Sequence, residues 1–268
     1  MSDARRVRPI LRALGASWRA AWMTALAYRA NFLADAVVTL FAAGATVLPV
    51  LFVFHGQETI AGWTASEALL VTGAFVVLQG LVEAAVEPNL RGLVDDIRFG
   101  TLDYVLLRPV DPQLLVSFRR LVPQRLVYSV GGFVILGVAA SRLPEPPGLW
   151  AISAALTLLG VGAAVMYALW LLVVSTAFWF VRVDNLSYLL TSAMDAARWP
   201  IDVFRPVFRV LFSVVVPLGL MTTTPALALR GVLEPTSALS GLGVAVVFCA
   251  VSRAVWVRAL RHYSSASS

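Results

Sequence analysis

The chain has 268 residues, of which 59% are hydrophobic and only 13% charged, a balance that argues against a soluble globular body. Its 21 basic residues are all Arg and exceed 15 acidic ones to give +6, but they are scattered between apolar blocks, which speaks against a nucleic-acid-binding patch. One cysteine, Cys249, and two histidines, His55 and His262, leave no disulfide within the chain and no Cys/His zinc site.

In chain order, residues 1–30 form the first expected element. Leu11, Leu14, Trp18, Trp22 and Ala25 fall on one side of a helix and Arg5, Arg8, Arg12 and Arg19 off it, the pattern of an interfacial helix along a membrane surface. Charges threaded through its apolar residues make it a poor cleaved signal peptide. A spanning helix needs about 20 predominantly apolar residues, because it must satisfy its own backbone across about 30 Å of hydrocarbon. Six stretches qualify: Asn31 to Phe54, Ser66 to Glu87, Leu121 to Ala140, Leu149 to Val181, Pro206 to Leu229 and Ala238 to Val257. The fold class expected is therefore an all-α polytopic membrane protein, with residues 258–268 as a short tail.

Arginines near span ends resist translocation. If the segments before span one, between two and three, between four and five and after six lie on one side, only Arg142 and Arg230 fall on the other. That places both termini in the cytoplasm. It also argues against a further span from Leu186 to Val203, which would carry Arg-rich flanks outward. Small residues recur four apart at Gly160, Ala164 and Ala168 and at Gly241 and Ala245, a spacing that lets helices pack closely.

Four acids fall in or at the ends of spans: Asp35, Glu67, Glu83 and Glu87. Asp35 and Glu87 lie near inner ends, where they can meet water or an Arg. Glu83, with Gln79 one turn before it, makes a polar strip on span two that suits either a cavity-lining role or an inter-helix hydrogen bond. Between spans two and three, Leu90, Leu93, Val94 and Ile97 form an apolar stripe, with Arg91, Asp95 and Arg98 elsewhere and Gly100 where a C-terminal cap belongs. Thr101 is expected to cap a second short helix, Leu102 to Leu107, ended by Pro109. Such an amphipathic helix can fill a partner's apolar groove and move as a unit. Pro217 and Pro225 break the outer part of span five, where Thr222, Thr223 and Thr224 can satisfy the freed backbone. The zone from Pro217 to Pro235 is read as an outer gate containing short re-entrant helices. With no Lys anywhere, a phosphate-binding loop is impossible and the chain cannot hydrolyse ATP alone. It has no G-x-S-x-G elbow and no zinc-protease helix.

These stretches resemble the permeases of the ABC-2 family of ATP-binding-cassette transporters, in the bacterial branch where permease and ATPase are separate chains. The run Ile97-Arg98-Phe99-Gly100-Thr101-Leu102-Asp103-Tyr104-Val105-Leu106-Leu107-Arg108-Pro109-Val110 is similar to that branch's I-R-x-G-x-L-D-x-x-L-L-R-P-V signature. Tyr28-Arg29, Gly62-Trp63-Thr64 with Glu67, Trp199-Pro200-Ile201, Val216-Pro217-Leu218 and Thr224-Pro225-Ala226 fit as well, while Arg205-Pro206 departs from it.

The resemblance implies the six-span fold of type V ABC exporters in a bacterial cytoplasmic membrane. It implies a second permease, identical or sister, and two copies of an ABC ATPase that hold the ATP and Mg, no cofactor being bound by this chain. Leu93, Asp95, Ile97, Arg98, Gly100, Leu102, Asp103, Arg108 and Pro109 would then belong to the ATPase-coupling region, with the Arg182 to Arg205 segment near the same interface. The few polar and many apolar residues in the spans suit an amphipathic cargo, and export follows from the resemblance. The alternatives are an ion-coupled transporter using Glu83 and a membrane-embedded lipid-modifying enzyme.

Overall fold

The computed structural model describes residues 3–108, 110–180 and 184–263. Pro109 and Arg182, both named above, lie outside the described residues, as does the end of the tail. Among the described residues there is no strand, only an isolated bridge between Ile60 and Trp63. In chain order the α-helices are α1 (Asp3–Ala27), α2 (Arg29–Ala45), α3 (Val47–Val53), α4 (Ala65–Leu81), α5 (Glu87–Arg98), α6 (Asp103–Leu106) and α7 (Pro112–Phe118). They continue as α8 (Pro123–Ala140), α9 (Leu149–Ser175), α10 (Asp184–Asp195), α11 (Pro206–Val214), α12 (Thr224–Leu229) and α13 (Pro235–Leu260).

Among the described residues, five helical stretches are long and apolar enough to cross a membrane: Arg29–Val53, Ala65–Arg98, Pro123–Ala140, Leu149–Phe178 and Pro235–Leu260. They match the expected spans one, two, three, four and six. The first is kinked at Thr46, between α2 and α3. Pro49 there lacks the amide that Ala45 would accept, and the Thr46 hydroxyl donates to Ala43 O at 2.6 Å.

The expected fifth span, Pro206 to Leu229, is not a continuous helix. It divides into α11, a break around Pro217, a π turn at Gly219–Thr223 and α12. Proline chemistry explains the break, since both Pro217 and Pro225 remove a backbone donor. The three threonines take up polar groups there: Thr222 Oγ1 donates to Ala197 O (2.7 Å), Thr223 Oγ1 accepts from Ile201 N (3.3 Å) and Thr224 Oγ1 donates to Gly219 O (3.1 Å).

The second span also differs from expectation. The helix does not end near Glu87 but passes through a π turn at Val82–Val86 into α5, a 34-residue stretch reaching about 50 Å at about 1.5 Å per residue. Pro88 is the cause: without its N–H, Ala84 O is released from the helical ladder, and Val122 N donates to it at 2.9 Å. Asn89, fully buried, ties the same place to the following chain through Ala85 O, Arg120 O and Arg120 N.

The core lies where α4 crosses α8 and α9. Close approach there depends on glycine: a Cβ on Gly80 would lie 2.4 Å from Ser129 N, and one on Gly132 2.5 Å from Val77 N. The Ser129 hydroxyl instead donates to Val77 O at 2.8 Å. Of the small-residue stripes, Ala168 and Ala245 are buried and Gly241 meets Leu220, but Gly160 faces open space. Gly162 makes the contact instead, its Cβ position 2.9 Å from Met221 O. Helix α1 docks by Trp18, whose indole donates to Phe118 O at 2.9 Å, while Trp18 and Trp22 stay partly exposed and Ala25 is buried.

Arg253 of α13 holds the N-cap of α7 with two bonds to Asp111 (2.5 and 3.1 Å) and one to Gln113. Partial burial opposes ionisation of Asp111, but the hydrogen bonds and charge of Arg253 and the Gln113 and Leu114 amides outweigh it and lower its pKa. A lowered folded pKa contributes stability above the unfolded carboxylate value that is lost as pH falls through the folded one. Asp111→Asn is expected to cost at most about 1 kcal/mol at pH 7, since Asp111 is about one-third and Arg253 nearly half exposed and the pair is screened. In thermal melts of the detergent-solubilised protein, that deficit should shrink steadily below pH 4.

A polar seam as the candidate functional site

The chain after α10 does not stay at the end of the bundle that carries residues 89–108. Tyr188 sits under the Arg91 guanidinium, 6.0 Å from ring centre to Cζ. Thr191 shares a cavity with Glu87 and Glu83. Arg198 lies over Phe75 at 5.4 Å, and its carbonyl accepts from Thr72 Oγ1 at 3.1 Å. Asp202 then accepts from the Trp63 indole at 3.2 Å. Taken in order, Arg91, Glu87, Phe75, Thr72 and Trp63 ascend the α4–α5 helix to its start and the loop before it. Residues 184–203, an α-helix followed by two short 3-10 turns, therefore run antiparallel to that helix.

This corrects the expectation that the segment up to 205 lies beside the 89–108 stretch; as expected, Leu186 to Val203 is not a membrane-length apolar helix, yet it runs along the bundle. Apolarity missed it because Asp195, Arg198 and Asp202 interrupt the run. The segment traverses with Leu190, Met194 and Ala197 buried in the protein, at most 7% exposed, and with its polar residues on the other face. Tyr188, Thr191, Asp195, Arg198 and Asp202, three or four apart, were the available signal.

The end at Trp63 is a three-way clasp. Trp63, 1% exposed, is held by Asp202 and lies under the Arg230 guanidinium at 4.6 Å. Arg230, following α12, bonds Glu67 at 2.7 Å. Glu67 also closes a capping box with Thr64 at the start of α4 (2.8 and 3.3 Å), so this acid has a structural partner.

Along the seam between α4–α5, α8 and α10, polar groups stand in rungs. Glu87 pairs with Arg91 at 2.6 Å, and Glu83 pairs with Arg125 of α8 at 3.2 Å while accepting from Gln79 at 2.9 Å. Further along, Asp195 pairs with Arg198 at 2.6 Å, with the Tyr128 hydroxyl within electrostatic reach of Glu83, Asp195 and Arg198. Asp202 and Arg209 follow at 3.9 Å. An open-sided cavity of about 480 Å³ is lined by Gln79, Glu83, Glu87, Arg91, Arg125 and Thr191 among others, a volume within the small-molecule range. The π turn at Val82–Val86 lies in its wall, and such turns re-aim side chains. Sequence reasoning placed Glu83 and Gln79 here but missed Arg125, Thr191, Asp195 and Arg198.

The opposite end of the bundle carries the signature stretch. Gly100 ends α5 at φ +69°, a conformation that favours glycine. Helix α6 is a single turn, and Thr101 does not cap it: its hydroxyl donates to Asp96 at 2.9 Å, and Arg119 holds the other oxygen of the same carboxylate. The expected docking stripe is also revised. Leu90, Leu93, Val94 and Leu102 are buried within the chain, and Ile97 is partly so. The apolar groups left outside are Phe99 (75% exposed), Tyr104 (73%) and Leu107 (81%), beside exposed Asp95, Arg98 and Arg108. Asp103 lies near Tyr263, whose phenol is pushed up by burial and by the Asp103 and Asp96 carboxylates, so the end of α13 adjoins this surface.

A family model for the ABC-2 family transporter protein matches residues 40–267. The chain belongs to the ABC-2 transporter family. Membership makes it a multi-pass membrane component of a transporter that associates with an ABC ATPase and is not generally catalytic itself. Comparison with curated proteins and with solved structures gave no match. In this ABC-2 chain the signature stretch and the polar seam meet at α5, whose Arg91 and Glu87 line the seam and whose last turn precedes Gly100.

Proposed function

We propose that this chain is the permease half of a bacterial ABC exporter, with its cargo moving along the seam between α4–α5, α8 and α10. The observation that carries the reading is the row of partly exposed ion pairs that begins at the α5 end and continues, with Asp195 and Arg198, beside the middle of α4. A charge facing lipid costs several kcal/mol, so such a face lines a water-filled path or meets another subunit. In this reading α10 with residues 196–203 is the fifth of six crossings, both termini are cytoplasmic, and α11 to α12 form a re-entrant pair at the outer end. Pro217, Thr222, Thr223, Thr224 and Pro225 then link the fifth crossing to the outer gate. A second permease, identical or sister, closes the other side of the path.

Two ATPase copies, with their ATP and Mg, bind the surface around Phe99, Tyr104 and Leu107. Their closure pushes α5, which is one helix with α4, and so shifts the wall of the seam. The exposed apolar surfaces beside the seam suit an amphipathic cargo, and outward direction rests on family likeness.

The test is transport of a fluorescent amphiphile in proteoliposomes holding the permease with its co-purified ATPase. ATP-dependent movement that stops when the ATPase is omitted supports the reading. Movement without any ATPase that is abolished by Glu83→Gln would overturn it in favour of ion coupling through Glu83.

A further inference from the structure

The seam is charged but balanced, and that narrows the class of cargo. Each rung joins one carboxylate to one guanidinium: Glu87 to Arg91, Glu83 to Arg125 and Asp195 to Arg198. In the first two the Arg side chain is about half exposed and the Glu about one-quarter, whereas in the third Asp195 is the more exposed partner at 55%. Both signs are therefore presented along one face. Rungs at Glu83 and Glu87 lie one turn apart on the same helix, with Thr191 and Tyr128 on the flanking helices.

Resting on the permease reading above, we infer that the cargo is an amphiphile with a zwitterionic headgroup, an ammonium and a phosphate, which passes from rung to rung. A zwitterion entering a rung can give its phosphate to the guanidinium and its ammonium to the carboxylate, replacing one pair by two and leaving no uncompensated charge. A singly anionic headgroup takes the guanidinium and strands the carboxylate beside it, and a singly cationic one does the reverse. Because each rung has the same composition, the headgroup meets an equivalent partner at successive depths. The net charge within the seam stays constant while it moves. The cavity shared by the Glu87–Arg91 and Glu83–Arg125 rungs is the first station from the end that bears the signature stretch, and its open side leaves the acyl chain in lipid.

The probes are three single-chain amphiphiles of equal chain length: lysophosphatidylcholine, lysophosphatidylglycerol and an alkyltrimethylammonium. Binding is read by competition against a spin-labelled lysophosphatidylcholine on the permease–ATPase complex in nanodiscs. The wild-type complex is expected to prefer the zwitterion at least about tenfold over either singly charged probe. Arg125→Gln should lower zwitterion affinity about tenfold and abolish the preference over the cationic probe. Exchanging the pair, Glu83→Arg with Arg125→Glu, should restore it, because both signs return to the rung.

Equal or tighter binding of either singly charged probe by the wild type overturns the inference, whether or not any variant folds. If zwitterion binding holds but no ATP-driven movement of any amphiphile occurs, the permease reading fails and with it the cargo assignment, and only the headgroup selectivity of the seam is left. If ATP-driven movement holds for an anionic or uncharged amphiphile while the zwitterion is ignored, only this inference falls.

Discussion

Trp63→Ala is expected to destabilise the protein by about 3–5 kcal/mol, the range for removing a fully buried large aromatic. Trp63 is 1% exposed, and three segments meet on it: the loop before α4, the chain after α10 through Asp202, and the chain after α12 through Arg230. Truncation leaves a cavity, an Asp202 carboxylate without its indole donor and an Arg230 without its aromatic face. The measurement is thermal unfolding of the detergent-solubilised protein, with limited proteolysis between residues 196 and 234 as a local readout. Trp63→Phe keeps the ring face under Arg230 and most of the volume but not the hydrogen bond, so it should recover more than half of the loss. If Trp63→Ala melts with the wild type and protects the same peptides, the clasp does not hold these segments together and the path assigned to residues 184–203 loses its anchor at Trp63.

The second large effect is expected at the signature stretch, on partner binding and not on folding. Gly100 at φ +69° stands between Phe99 and the turn leading to Tyr104 and Leu107. Valine in that region costs about 1–3 kcal/mol of backbone strain, which the stretch can relieve only by moving the exposed apolar groups. Leu107→Asp, 81% exposed in the wild type, tests the same surface without any backbone demand. Residues at the centre of an interface contribute about 2 kcal/mol or more each, about 30-fold in affinity. Both variants should therefore insert normally, keep the wild-type melting temperature within a few degrees for Leu107→Asp, and lose the ATPase on co-purification. Leu93→Ala, by contrast, should lower stability first, because that side chain is fully buried within the chain. ATPase retention by Leu107→Asp would show that the partner grips elsewhere.

Much of the molecule was legible from residue order. Long apolar runs identified five membrane-length helices, because such helices satisfy their backbone locally and show it as uninterrupted hydropathy. Pro217 and Pro225 announced the broken helix between α11 and α12, and Gly100 announced the end of α5, since missing donors and positive φ are properties of single residues. Glu83 and Gln79 were recognised as a polar strip from their four-residue spacing alone. Other features were not legible. The apolar stripe of α5 matches a docking helix in pattern, but pattern cannot say whether the groove it fills is its own or a partner's. Leu90 and Leu93 turn out to fill their own.

The path of residues 184–203 is the clearest division between the two levels. The sequence by itself determined an Arg-rich, Lys-free chain whose long apolar runs form membrane-length helices, with residues 97–110 resembling a family signature. Only the tertiary structure decided that a segment carrying Asp195, Arg198 and Asp202 runs the length of the bundle, while the more apolar Pro206 to Leu229 stretch folds back at one end. Hydropathy reads transfer of each residue into lipid, whereas α10 is packed against α9, residues 196–198 against α4, and Asp195 and Arg198 are paired with each other. Its cost depends on those long-range neighbours, and no local window contains them.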